Sequence, residues 1–215
     1  FETIHEGSKG NTLDVYTDNG DAWDILEDYQ KLPSESFKLE SSSASLSGPK
    51  AILEQTYSYG NSKLTQKIVL THGSKRIDFN TEVDWHENSK MLRTKFPLNV
   101  FSHFATCDIQ FGNLRRPTHT NTSWDKAMLE VCAHKFVDIS QKDRGAAILN
   151  DCKYGYNLFG NVIDINLLRS TSFPGKEADQ GKHSFTYSLL PHKGNLIQGG
   201  VAEAASELNS PLIIN

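Results

Sequence analysis

Apolar and polar residues alternate strictly between 76 and 85, where Ile77, Phe79, Thr81, Val83 and Trp85 interleave with Asp78, Asn80, Glu82 and Asp84. A period of two predicts a strand with one face buried. Strand-like stretches recur at 37–43, 51–59, 64–70, 92–97, 105–111 and 128–137, then at 146–149, 162–168 and 183–190. Short punctuation separates them, as at Gly60-Asn61-Ser62, His72-Gly73-Ser74 and Phe159-Gly160-Asn161, where turn-forming residues let the chain reverse. The pattern predicts roughly ten antiparallel strands. Helical signals are confined to 22–29 and 201–208. With so little helix, an apolar sheet face is buried only against another sheet, so the expected fold is all-β, a large antiparallel β-sandwich.

At 215 residues one such domain is expected to fill the chain, 1–215, with residues 1–30 reading as a strand–loop segment that links it to something upstream. The chain opens at Phe1 with no signal-peptide pattern, which reads as an internal boundary of a longer protein. No apolar run approaches the length that spans a bilayer, so no membrane partner is expected. The net charge of −4 is spread along the chain, and without a basic face no nucleic acid is expected either. Cys107, Cys132 and Cys152 are odd in number and widely spaced, which predicts reduced, mostly buried thiols rather than a zinc ribbon or disulfide framework.

The eight histidines fall at no metal-ligand spacing, and the nucleophile, phosphate-loop and dinucleotide motifs are absent from the sequence. Three polar–aromatic clusters remain: Asp21-Ala22-Trp23-Asp24, Asn121-Thr122-Ser123-Trp124-Asp125 and Asp179-Gln180-Gly181-Lys182-His183. Carboxylates and amides bind sugar hydroxyls and an indole stacks on the C–H face of a pyranose, so this chemistry suits carbohydrate. The competing reading of each is turn chemistry, with Asp and Asn capping local backbone.

The ordered strings Gly10-Asn11, Asp21-Ala22-Trp23-Asp24, Trp85-His86-Glu87, Arg116-Pro117-Thr118-His119, Asn121-Thr122-Ser123-Trp124-Asp125 and Asn150-Asp151-Cys152-Lys153-Tyr154-Gly155 resemble one family. That family is the α-mannosidases of glycoside hydrolase family 38. The match continues through Leu167-Leu168-Arg169-Ser170, Ala178-Asp179-Gln180-Gly181, His183, Pro191-His192 and Leu208-Asn209, nearly the whole chain, and is nearest to the cytosolic and vacuolar branch and its bacterial relatives. One departure is Thr17-Asp18-Asn19-Gly20, where a Pro and aromatic residues are expected.

The resemblance implies a galactose-mutarotase-like supersandwich, the carboxyl-terminal part of a cytoplasmic enzyme that hydrolyses terminal α-linked mannose of oligosaccharides with retention. It places the nucleophile, the acid/base and the zinc ligands in an upstream catalytic domain, so none is assigned here and this chain alone is expected to be inactive. By position, Asp21, Trp23, Asp24, Asp179, Gln180 and His183 are matched to loops that reach towards substrate. Asn121 to Asp125 and Asn150 to Gly155 are expected to serve structure instead. Alternatives are a free carbohydrate-binding sandwich using Trp23, Trp85 or Trp124 as a platform, a structural module forming a homo-oligomer, and a mutarotase-like site with a His acid and a Glu base.

Overall fold

The computed structural model describes residues 1–128, 130–175 and 177–212. Its strands begin with β1 (Asp14–Thr17), β2 (Glu35–Ser36), β3 (Lys38–Ser47), β4 (Lys50–Tyr59) and β5 (Ser62–Thr71). They continue with β6 (Ile77–Trp85), β7 (Lys90–Pro97), β8 (Phe104–Ile109), β9 (Gly112–Pro117) and β10 (Val131–Cys132). The last are β11 (Phe136–Ser140), β12 (Arg144–Asn150), β13 (Gly155–Phe159), β14 (Val162–Ser170) and β15 (Gly181–Lys193). Helix among the described residues is limited to α1 (Ser123–Ala127), α2 (Val201–Asn209) and a 3-10 turn, Tyr29–Lys31.

Two antiparallel sheets face each other, one of six strands in the order β10-β13-β14-β7-β1-β2 and one of nine in the order β3-β4-β5-β6-β15-β12-β11-β8-β9. This is the large β-sandwich the alternation predicts. Pairing register lines up one inner-face row across all nine strands, Leu46, Ala51, Leu70, Ile77, Leu189, Ile148, Val137, Cys107 and Leu114, and none carries a charge. The core between the sheets is aromatic at its centre. Phe79 stacks on Tyr187 with ring centroids 5.1 Å apart, and Phe96 of the smaller sheet closes on Phe79 at 5.7 Å. Such contacts add to simple burial.

Tyr187 is buried with its hydroxyl, and the fold satisfies it with side chains. The hydroxyl donates to Asn11 Oδ1 at 2.6 Å and accepts from Gln66 Nε2 at 2.8 Å, while Asn11 Nδ2 donates to Gln66 Oε1 at 2.7 Å. Asn11 sits at φ 56°, a conformation Asn tolerates, and ties the amino-terminal segment to the core. Trp85 is fully buried beneath Phe37, its indole donating to Ser170 Oγ, so it is no sugar platform. Glu87 accepts from Asn61 N and Ser62 Oγ at the β4–β5 turn, whose Gly60 is at φ 54° and would hold a Cβ only 2.5 Å from that carboxylate. The Trp85-His86-Glu87 string is thus a structural fastener.

Three expectations need correction. No two-turn helix forms over 22–29, because Asp21 Oδ1 accepts from Trp23 N and Asp24 N and Asp24 Oδ1 from Ile25 N, side chains competing with helical hydrogen bonds. The 128–137 stretch splits into β10 and β11 because the chain crosses there from the smaller sheet to the larger; its residue 129 lies outside the described residues. Only Cys107 is buried, its thiol pushed up to about 12 by desolvation, while Cys132 and Cys152 are exposed. The expected 201–208 helix is present as α2 and lays Val201 and Ala205 on Ala147, Leu149 and Leu190, covering the outer face of the larger sheet. Strands β1, β2, β9 and β13 escape the alternation test, being short or, like Gly112–Pro117, on a sheet edge.

The outer face of the smaller sheet buries charge. Arg93 Nε donates to Asp164 Oδ1 at 2.7 Å and Nη2 to Glu130 Oε2 at 3.1 Å, and the guanidinium lies 5.2 Å from the centre of the Tyr29 ring. Burial outweighs Arg93 and raises the Asp164 carboxyl to about 6, and its Oδ2 has no hydrogen-bond partner. A folded-state pKa above the unfolded value stabilises the fold fully below the unfolded pKa of 3.8 and is lost as pH rises through about 6. Urea denaturation between pH 4 and 7 is therefore expected to show a fall in stability on the order of 3 kcal/mol from this group. Asp164→Asn should flatten that fall; an unchanged pH slope in the variant would exclude Asp164 as its source.

Candidate functional site

Three connections meet at one corner of the sandwich: residues 18–27 after β1, residues 86–89 between β6 and β7, and, between β14 and β15, residues 171–175 and 177–180. Asp18 N donates to Ser89 O at 2.8 Å, Gln180 Nε2 to Glu87 O at 2.5 Å, and Ala22 N to Phe173 O at 2.9 Å. Arg169, the penultimate residue of β14, clamps the corner. Its Nε and Nη2 grip both oxygens of buried Asp18, at 2.6 and 3.2 Å, and Nη2 also reaches Asp24 O. The backbone N–H of Arg169 donates to Asp179 Oδ2 at 2.8 Å. One residue thereby holds both loops that the sequence singled out, although they lie about 155 positions apart in a chain whose corner faces solvent.

The predicted residues divide accordingly. Asp21 and Asp24 line a cleft of about 680 Å³ between the 19–27 segment and α1, with Lys126 of α1 on the far wall, paired to Glu27 at 3.0 Å. Trp23 is 71% exposed and packs only its flank on Phe173, itself 58% exposed, with ring centroids 5.6 Å apart. Asp179, at φ 56°, turns the second loop, and its carbonyl meets His183 Nε2 at 2.8 Å. Gln180 is spent on Glu87 O. The His183 ring opens on a separate groove of about 450 Å³ with Lys63, Glu82 and Asp84, so it does not share the cleft. Sequence reasoning gave no role to Arg169, Asp18 or Phe173, although Arg169 stands in one of the recognisable strings.

The other two strings, expected to serve structure, make local hydrogen bonds. Thr122 and Asp125 form a reciprocal capping box at the start of α1. Asn150 accepts from Lys153 N at 2.7 Å and donates to Tyr156 Oη at 2.6 Å, fixing the turn before β13. Among the described residues no three His, Cys, Asp or Glu side chains come together as a metal-ligand set, so nothing there fits zinc. What the corner offers is two carboxylates and a lysine lining an open cleft, with an exposed indole between the two carboxylates in sequence, groups that bind and orient a polyol.

Comparison with known proteins decides the family, since residues 2–177 match the Glycosyl hydrolases family 38 C-terminal domain. The chain belongs to glycoside hydrolase family 38. This family 38 domain is 43% identical over 99% of its length to Alpha-mannosidase 2C1 of Mus musculus, and 39% identical over 98% to Alpha-mannosidase G of Dictyostelium discoideum. It covers 21% and 20% of those proteins, about a fifth of their length. Among solved structures, an alpha-mannosidase from Enterococcus faecalis V583 superposes with a TM-score of 0.82 at 16% identity, over 95% of this chain and 28% of that one, which shows the shared fold. No helix among the described residues is long and apolar enough to cross a membrane.

Removing Arg169 strands the buried Asp18 carboxylate, and breaking a buried pair costs several kcal/mol. Arg169→Met is expected to destabilise the family 38 domain by about 3 kcal/mol and to speed hydrogen exchange across residues 18–25, which the guanidinium holds through Asp18 and Asp24. Adding Asp18→Asn should recover part of the stability but not the loop protection. An Arg169→Met domain that matches the parent in both measurements would show that the clamp carries no energy.

Proposed function

We propose that this chain is the carboxyl-terminal sandwich domain, residues 1–215, of a longer retaining α-mannosidase that removes terminal α-linked mannose from oligosaccharides. The observation that carries this is identity of 43% along 99% of the chain to a protein named as an alpha-mannosidase and about five times as long. The domain completes and shields an active site whose nucleophile, acid/base and zinc ligands lie on an upstream catalytic domain. The enzyme works in the cytoplasm, following the branch its motifs resemble.

Within that enzyme the corner faces substrate. Asp21 and Asp24 hydrogen-bond sugar hydroxyls, Trp23 walls the subsite, and Asp179 with Gln180 and His183 shapes the neighbouring loop. The geometry redistributes the weight among them. Trp23 and the free edges of Asp21 and Asp24 stand open, whereas Asp179 and Gln180 already hold the protein's own backbone. A second reading, a sugar-binding module without catalysis, is favoured by the exposed Trp23–Phe173 pair, and weak mannose binding by the 215-residue chain alone would speak for it.

Two measurements test the proposal. p-Nitrophenyl α-mannoside should be hydrolysed by the longer enzyme in a chelator-sensitive manner and not by the 215-residue chain; turnover by the chain itself would place a complete active site within it. In the longer enzyme, Trp23→Ala should lower kcat/KM on the order of tenfold to a hundredfold with little change in melting temperature. Unaltered kinetics would remove Trp23 from the substrate wall.

A further inference from the structure

Two neighbouring rows on the inner face of the nine-stranded sheet carry no charged or amide side chain from β3 to β15, yet only their β6 and β15 ends are covered. In the row that crosses every strand, Leu189, Ile148 and Val137 are buried under the six-stranded sheet, whereas Leu46 is 84% exposed, Leu70 47%, and Ala51 between them is open. The adjacent row repeats this: Phe79 and Tyr187 are buried, but Leu53 on β4 is 36% exposed and Ala44 on β3 is open. The opposite face of the same strands is mixed, with Ser43, Ser45 and the Glu54–Lys67 ion pair at 3.4 Å around Ile52 and Val69. The cause is geometric. The smaller sheet ends at β2, two residues long, and its layer stops short of the strip formed by Ala44, Leu46, Ala51, Leu53 and Leu70.

We infer that a segment of the enzyme's own polypeptide, outside these 215 residues, lies on this strip and continues the layer of the smaller sheet over β3, β4 and β5. The inference rests on the reading of the chain as part of a longer mannosidase. Three observations select that occupant. The strip is an unbroken extension of the folded core rows that the smaller sheet covers further along the same strands. Five small and medium side chains are a narrow footprint for a free partner or a second copy, whose interfaces bury roughly 1,000 Å² or more over both sides, whereas a tethered segment is held at high effective concentration. The curated relatives have that segment to give, since this chain accounts for 21% of the length of Alpha-mannosidase 2C1. The strip ends at β3, a ten-residue edge strand exposed along its whole length and without an internal proline.

Photo-crosslinking in the longer enzyme tests this, with p-benzoylphenylalanine placed at Leu46 and, in a second variant, at Leu70. The expected product keeps the mass of the monomer and, after digestion, joins β3 or β5 to a peptide from outside residues 1–215, with slow hydrogen exchange along β3. A product of twice the mass would assign the strip to a second copy, and no product together with fast exchange would leave it bare; either result overturns the inference. Mannosidase activity is read on the same preparations before irradiation. An inactive enzyme that cross-links internally would sink the functional reading and leave this one standing, and an active enzyme without the cross-link would do the reverse.

Discussion

Two sheets of unequal width set the terms for everything else in this molecule. A sandwich is stable when both inner faces are taken out of water, and each buried aliphatic side chain is worth about 1.5–3 kcal/mol. Here nine strands are set against six, so the shared core forms where they overlap, around Phe79, Phe96, Trp85 and Tyr187. The mismatch pushes the remaining chemistry to the margins. One margin is the bare strip on β3 to β5. Another is the corner where β1, β14 and β15 leave the sheets and their connections gather.

That corner is ordered by buried charge rather than by apolar packing. Arg169 comes from inside a strand, where its backbone is fixed, and meets a buried Asp18, so its guanidinium posts the first loop while its backbone N–H holds Asp179 of the second. The same device recurs on the outer face of the smaller sheet, where Arg93 with Asp164 and Glu130 holds the 25–31 segment through Tyr29. In both places a strand arginine converts an irregular segment into a positioned one. Trp23 benefits directly: its ring stands in solvent while the backbone beneath it is tied down on both sides.

Much of the fold was legible in the residues because strand periodicity is local. The 76–85 alternation appears as β6, with every predicted inner residue facing the core, and the turn at Phe159-Gly160-Asn161 sits between β13 and β14. The failures are equally physical. The 22–29 stretch has helical composition, but its Asp residues satisfy turn N–H groups first, and the 128–137 stretch changes sheets midway. Cys132 and Cys152 are exposed because they fall in sheet-edge and turn segments that composition does not reveal.

The candidate site was half legible for the same reason. The residue types at Asp21, Trp23 and Asp24 announce polar and aromatic chemistry wherever they lie, and Asp21 and Asp24 do line a cleft. Grouping Asp179, Gln180 and His183 by adjacency failed in part, since successive residues around a turn point different ways, and His183 opens on another groove. By itself the sequence determined the all-β class, most strand positions and the family, because alternation and ordered motifs are properties of the chain. Only the tertiary structure decided that Arg169 joins the two loops, that Phe173 backs Trp23 and that part of the inner sheet lies bare. Those facts depend on contacts between residues far apart in the chain, which no local pattern encodes.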